Sequence, residues 1–257
     1  MHANFPRLGL VALLLAVAQT ALAGAPAGIP ETASASLSGS VTLVQAVPGR
    51  TVAIRIDGHP VRRAADAGDV VGPVQLPAGR HRITFVSAGG GRVSAWVRIS
   101  AGSSRDVVLH RPAARAGKPV VSSFRTPTGG IAPGRGRLVV ALAARIVPAD
   151  VRVDGRIAFT NIANGESART QVRPGTHRVT LVPTGLEGPA VLGPVDVAVA
   201  PGTVTVVYAV AGPGAGDAIV HTLALRPGGG VAPGTLDTGT VGLARHLSVH
   251  QFGGADR

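Results

Sequence analysis

The sequence predicts an all-β protein made of two tandem immunoglobulin-like β-sandwich domains. Apolar residues alternate with polar ones in short segments, which Gly/Pro turns separate at intervals of roughly 8–12 residues. No segment keeps the 3.6-residue apolar period of an amphipathic helix. The chain also repeats itself, because residues 54–58 (IRIDG) return as 151–155 (VRVDG) and residues 79–86 (GRHRITFV) return as 175–182 (GTHRVTLV). We therefore expect one β-rich unit written twice.

The N-terminal residues are expected to lie outside the folded domains. Residues 8–17 form a short apolar run, and Ala21-Leu22-Ala23 supplies the small residues of a signal-peptidase site. The run is too short for a membrane span. Residues 1–23 are therefore predicted to be a signal peptide, and the protein to be secreted or associated with the cell envelope. Residues 24–36, rich in Ala, Ser, Pro and Gly, are predicted to form a flexible leader.

The first predicted domain spans residues 37–134. Its strands are marked by period-two alternation, and the turns between them include Asp57-Gly58, which supplies the positive φ angles of a tight hairpin. The predicted strands lie near residues 41–46, 52–56, 70–76, 80–86, 93–99, 106–110 and 120–124.

The second predicted domain spans residues 135–234 and follows the same plan. Residues 195–199 alternate between apolar and polar positions, and residues 204–210 form a long run rich in β-branched side chains. Both domains end on a similar segment rich in Gly and Pro. Residues 235–257 remain beyond the repeat and are predicted to be a mobile tail.

Two motifs resemble those of a family of secreted bacterial proteins, the domain of unknown function 4397. Residues 54–58 are similar to the strand that ends in Asp-Gly in that family, and residues 76–79 (LPAG) to the start of its following strand. Of a further stretch that the family carries after its first strand, only Pro48 and Pro148 are kept here. The resemblance covers nearly all of the chain after residue 23 and implies an extracellular module without catalytic activity.

The chain is strongly basic. It carries 25 Lys and Arg against 13 Asp and Glu, which gives a formal charge of +12, and all but one of the basic residues are Arg. A diffuse positive field outside the cell favours polyanions such as acidic wall polymers. The alternative is that the charge reflects composition and solubility alone.

The candidate binding residues are four arginines and one tryptophan. Arg82 and Arg178 occupy equivalent outward positions in the two repeats, where they either bind carboxylates and phosphates or keep edge strands from aggregating. Arg62 and Arg63 are grouped with them as further outward cations. Trp96, the single Trp, points away from the apolar side of its strand, although an aromatic content of 3% argues against a lectin.

His81 and His177 recur at the same place in both repeats and invite a metal or catalytic interpretation. Both are in phase with buried apolar positions, His81 with Ile83 and His177 with Val179. Because no second ligand is suitably spaced, they are predicted to be partly buried core histidines.

The leading functional hypothesis is a non-enzymatic binding or scaffolding module at the cell envelope, whose partner is an anionic polymer or a surface protein. No G-x-S-x-G or H-E-x-x-H motif occurs, and the chain has no Cys nucleophile. No cofactor, metal, specific nucleic acid or membrane span is expected, and the sequence leaves the oligomeric state open. The alternative is a hydrolase at the domain junction that uses His110, Asp106 and Asp217.

Overall fold

The structure, a computed structural model, confirms the predicted all-β fold class. It describes residues 37–112, 117–143, 147–186, 189–210, 217–225 and 231–241. All of them belong to one compact unit that spans Ser34–Arg257. The predicted signal peptide and leader at residues 1–36 lie outside the described residues. Among the residues that are described, no helix is long and apolar enough to span a membrane.

The first repeat contributes eight strands in two four-stranded sheets. The first inner sheet has the order β4-β1-β7-β8, and the first outer sheet has the order β3-β2-β5-β6. In chain order, the strands are β1 (Ser38–Gln45), β2 (Val52–Ile56), β3 (His59–Ala65), β4 (Val70–Pro77), β5 (Gly79–Ser87), β6 (Arg92–Ile99), β7 (Ser104–His110) and β8 (Val120–Thr126).

The second repeat reproduces these pairings and adds one strand. The second outer sheet has the order β11-β10-β13-β14, and the second inner sheet has the order β12-β9-β15-β16-β17. In chain order, the strands are β9 (Gly136–Ala143), β10 (Ala149–Val153), β11 (Arg156–Ile162), β12 (Ser167–Val172), β13 (Gly175–Pro183), β14 (Leu192–Val199), β15 (Thr203–Val210), β16 (Asp217–Leu225) and β17 (Val231–Val241). In both inner sheets the first strand of the repeat pairs in parallel with the seventh. The two sandwiches therefore have equivalent topologies.

Three apolar cores bind the sheets into four layers. The first outer sheet packs on the first inner sheet through residues such as Ile54 and Phe85. The second pair of sheets is joined in the same way around Val151 and Leu181. A third core, which includes Tyr208, lies between the two inner sheets and joins the repeats. Because burial of apolar surface is the main favourable term in folding, this third core makes the two sandwiches one compact body.

The inner strands are buried on both of their faces. Every residue of β9 is buried, and so are seven of the eight residues of β1 and of β15. Strands covered on both sides carry continuous apolar runs rather than strict alternation. The β-branched run at residues 204–210 is such a strand, sandwiched between two cores.

Two type I′ hairpin turns sit at equivalent places in the repeats. Asp57 and Gly58 have φ angles of 51° and 85°, and Asp154 and Gly155 have φ angles of 53° and 79°. Asp and Gly are among the residues that tolerate positive φ, and a two-residue I′ turn matches the twist of the strands that it joins. The predicted hairpin at Asp57-Gly58 is therefore confirmed, and its second strand is β3, which the alternation had not indicated.

The predicted mobile tail was wrong in its first part. Residues 235–241 belong to β17, which pairs antiparallel with β16. The extra strand extends the edge of the second inner sheet. The remainder of the predicted tail, residues 242–257, lies outside the described residues.

Candidate binding face on the first outer sheet

The outward face of the first outer sheet is formed by alternate residues of its strands. On β5, Ile83 and Phe85 are buried in the core, whereas Arg80 and Arg82 are exposed. On the neighbouring strand β6, Arg92, Trp96 and Arg98 are exposed, and on β2 the exposed residue is Arg55. The period-two geometry of a strand places these side chains on the side of the sheet that faces solvent.

This sheet has an unbalanced charge that its counterpart lacks. The strands of the first outer sheet contain seven arginines and no Asp or Glu. The strands of the second outer sheet contain three arginines and two aspartates. Because the two sheets have the same topology, the excess charge follows from the residues on the surface and not from any requirement of the fold. We call the outward face of β2, β5 and β6 the arginine face.

Trp96 lies on β6, at the edge of the arginine face. Its side chain is 61% exposed, and its direct partner across the strand pair is Arg82. The guanidinium carbon of Arg80 lies 5.2 Å from the centroid of the Trp96 ring, within the range of a cation–π contact. A flat aromatic ring beside guanidinium groups can stack on a planar or apolar surface while the arginines bind carboxylate or phosphate oxygens.

At one end of this sheet His81 forms an ion pair with Asp57, and we call this contact a histidine clasp. His81 Nδ1 lies 2.7 Å from Asp57 Oδ2, and His81 Nε2 lies 2.8 Å from the carbonyl oxygen of Pro77. The backbone N–H of Arg82 donates to the other carboxylate oxygen of Asp57. Since both neighbours of the ring are acceptors, the doubly protonated imidazolium satisfies both contacts. The charges of the imidazolium and of the Asp57 carboxylate offset each other, so the clasp adds no net charge beside the arginine face.

The contacts of this clasp shift the pKa values of both partners. Burial of the ring acts to lower the pKa of His81, but the hydrogen bonds to Asp57 and Pro77 outweigh it, and the pKa is raised. For Asp57, burial acts to raise the pKa, but the hydrogen bonds from His81 and the Arg82 amide lower it. Both shifts favour the charged pair.

The second repeat contains the same clasp. His177 Nδ1 lies 2.7 Å from Asp154 Oδ2, and its Nε2 lies 2.8 Å from the carbonyl oxygen of Arg173. The pKa of Asp154 is lowered, first by the hydrogen bond from His177, and that of His177 is raised because its hydrogen bonds outweigh burial of the ring. The histidines are partly buried, as their strand phase indicates, and the carboxylate partner is what the sequence reasoning missed.

The predicted binding residues are divided between the two repeats. Arg82 and Trp96 are direct cross-strand neighbours. Arg62 and Arg63 lie on β3, the edge strand of the same sheet. The Arg62 guanidinium lies 3.5 Å from the carboxylate of Asp69, in an exposed ion pair. These four residues therefore share one sheet.

Arg178 lies on β13, in the second outer sheet. The residue opposite it on β14 is Asp196, at the place that Trp96 occupies in the first repeat. The Arg178 Nε atom lies 3.4 Å from an Asp196 carboxylate oxygen, so this arginine already has an anionic partner. The structure does not bring Arg178 together with the other predicted binding residues.

The hydrolase alternative also assumed a grouping that the structure does not show. Asp106 and His110 lie four residues apart on β7, which separates them by about 13 Å along the strand. Asp106 is 1% exposed and accepts a hydrogen bond from Tyr208, and His110 contacts Ser122 and the Arg111 carbonyl oxygen. Asp217 begins β16, and its side chain lies outside the described part.

The arginine face could have been predicted more fully from the sequence. Arg55, Arg80, Arg92 and Arg98 have the same strand phase as Arg82 or Trp96, and this phase can be read from the alternation of each strand. Within the described ranges, no group of three or more His, Asp or Glu side chains is arranged to hold a metal ion.

Comparison with known proteins does not identify the chain. The sequence matches no family model, and it matches no curated protein closely enough to show a relationship. The resemblance to the domain of unknown function 4397 therefore stays a prediction.

Proposed function

We propose that this protein is an exported, non-enzymatic binding module that attaches to an anionic polymer of the cell envelope through the arginine face. The observation that carries the proposal is the excess positive charge of the first outer sheet, whose strands hold seven arginines and no Asp or Glu. Export rests on the apolar run at residues 8–17 and the Ala21-Leu22-Ala23 site.

The shape of the surface supports a polymer as the ligand. Exposed residues along one strand recur at intervals of about 6.6 Å, and the neighbouring strand lies about 4.8 Å away. The arginine face is therefore an extended array of guanidinium groups, which suits a chain of repeated negative charges. Trp96 adds a surface on which a sugar ring of such a chain can stack.

The proposal is tested by equilibrium binding to a carboxylated polysaccharide, polygalacturonate, with dextran as the neutral control. The double variant Arg82→Gln/Arg98→Gln should weaken binding about tenfold or more, since it removes two charge-assisted contacts. The matched control is Arg152→Gln/Arg178→Gln, which removes the same charge from the second outer sheet and should change the affinity by less than twofold.

The dependence of binding on salt concentration distinguishes a charged contact from a shaped pocket. Binding should weaken strongly between 0.01 M and 0.15 M salt, because the Debye length falls from about 30 Å to about 8 Å. If both double variants weaken binding equally, the charge acts diffusely and the arginine face is not the site. A lack of binding at either salt concentration would leave a protein partner as the better hypothesis.

A further inference from the structure

A second basic site lies where the two repeats meet, away from the arginine face. A cavity of about 480 Å³ is bordered by the turn at residues 100–103, by the ends of β7 and β8, and by the segment that connects the repeats. The second repeat contributes Arg137 and Arg169 to its wall. The volume is within the range of small-molecule sites. We call this cavity the junction pocket.

The walls of the junction pocket are cationic. Arg125, Arg137 and Arg169 line it, and no Asp or Glu is among the lining residues. Among the described side chains, no carboxylate lies within 4.0 Å of any of these three guanidinium groups. Burial lowers the pKa of Arg137, and the positive charge of Arg169 lowers it further, which shows that the two cations repel each other. An anion between them would relieve that repulsion.

The Arg137 side chain is held rigidly in place. It is 8% exposed, its Nη1 donates to the carbonyl oxygens of Pro127 and Gly129, and its Nη2 donates to that of Gly130. These contacts use three of the five N–H groups of a guanidinium, and two remain for a ligand. Arg137 thus fixes the connecting segment while keeping donors free.

Two buried hydroxyl groups lie within the wall of the pocket. Ser104 is 1% exposed and Thr126 is 2% exposed, they face each other across β7 and β8, and both line the cavity. Neither hydroxyl oxygen has a hydrogen-bond partner in the protein. Both oxygens are closed to solvent, so they lie within the wall of the pocket and do not open into the cavity.

We propose that the junction pocket binds a phosphate group, either as free phosphate or as the phosphate of a small organic ester. Guanidinium groups that offer several N–H donors match a dianion with several terminal oxygens better than a single carboxylate. The site is separate from the proposed polymer contact, and it would link the relative position of the two repeats to a soluble ligand.

The test measures the thermal stability and the heat of binding of the full chain with inorganic phosphate, with the ionic strength held constant by NaCl. A ligand that binds only the folded state raises the melting temperature. Arg169→Gln should weaken phosphate binding about tenfold or more through the loss of one charge-assisted contact. Thr126→Val should leave phosphate binding unchanged, because the hydroxyl oxygen is closed to solvent and does not reach the cavity.

Arg92→Gln is the matched control, since it removes an arginine from the arginine face and should leave phosphate binding unchanged. Equal phosphate binding by the wild type and the Arg169→Gln variant would overturn the proposal, and so would equal stabilisation by acetate.

Glycerol 3-phosphate tests the source of the phosphate group. If glycerol 3-phosphate binds more tightly than inorganic phosphate, the ligand is a phosphate ester. If the two bind equally, the ligand is phosphate itself. Arg169→Gln should leave polygalacturonate binding intact, so the two proposals fail independently.

Discussion

His81 Nδ1 lies 2.7 Å from the carboxylate of Asp57, and the ring is held between that carboxylate and the carbonyl oxygen of Pro77. The arrangement joins the hairpin turn at Asp57-Gly58 to the start of β5. Its exact recurrence at Asp154 and His177 shows that the duplicated sequence preserved a complete ion-paired clasp. Because each clasp requires a charged histidine and a charged aspartate, the stability of the protein should depend on pH.

The free energy of unfolding should fall as the pH rises from about 6 to 9. The folded-state pKa values of His81 and His177 are raised. Their contribution is therefore complete below the unfolded value of about 6.5 and is lost as the pH rises through the folded values. The aspartates have lowered pKa values, so their contribution is present above about 3.9 and is lost as the pH falls through the folded values. Urea unfolding at several pH values measures the dependence.

Asp57→Asn/Asp154→Asn should flatten this dependence between pH 6 and 9. Asn tolerates the positive φ of the turn and can still accept from the Arg82 amide, but its NH₂ group would face the histidine and favour the neutral ring. In NMR titrations the pKa of His81 should fall relative to the wild type. Asp196→Asn, which removes a carboxylate that does not touch either histidine, is the control. An unchanged His81 titration in the double variant would show that the clasp does not set the charge.

Gly58→Val should destabilise the protein by about 1–3 kcal/mol through backbone strain. Gly58 has a φ angle of 85°, and a Cβ atom there would meet no atom within 4 Å, so crowding of the Cβ does not contribute. Gly155→Val, at a φ angle of 79°, should cost a similar amount. Gly89→Val is the control, because Gly89 is equally open and does not have positive φ. Similar losses in Gly58→Val and Gly89→Val would rule out strain at the turn.

The sequence predicts the outer sheets and their turns well, because alternation reports directly which residues of a half-buried strand face a core. Ile54, Ile83 and Phe85 are all buried as their phase requires. The Asp-Gly turns were predictable because few other residue pairs tolerate two successive positive φ angles.

The contact between the inner sheets was not predictable in the same way. Thr42 and Asp106 are opposite each other on β1 and β7, and polar residues at such positions indicate a face exposed to water. Both are buried, because the second inner sheet covers them. Alternation gives the period of a strand but not the partner that covers its second face. For β17, Pro233 and Gly234 argue against a strand, but they lie on an edge strand where the register with β16 shifts, which is where a sheet tolerates such residues.

The arginine face could be predicted from the sequence only in part. The phase of each arginine follows from its own strand, but its neighbours follow from the cross-strand register. The pairing of Arg82 with Trp96, and of Arg178 with Asp196, is what distinguishes a free cationic surface from a neutralised one. Residue spacing within one strand does not contain that information.

Tyr208 and Asp106 form the polar contact at the centre of the interface between the repeats. The Tyr208 hydroxyl donates to Asp106 Oδ2 and lies 3.3 Å from His221 Nε2, while Asp106 Oδ1 has no partner in the described structure. Burial, together with the negative charge of Asp106, raises the pKa of Tyr208 far above its usual value and keeps the hydroxyl protonated. The position equivalent to Asp106 in β15 is Val206, which shows that an apolar residue fits this kind of site.

Tyr208→Phe should therefore destabilise the protein by about 1–3 kcal/mol, because it leaves a buried carboxylate without its main donor. Asp106→Val should cost less, since it removes the carboxylate that needs the donor and leaves Tyr208 in contact with His221. The double variant should be no less stable than Tyr208→Phe alone, because an apolar pair of similar shape replaces a buried polar one at little cost. Urea denaturation of the four proteins gives the coupling free energy between the two sites. Strictly additive losses would show that the hydrogen bond does not hold the two repeats together.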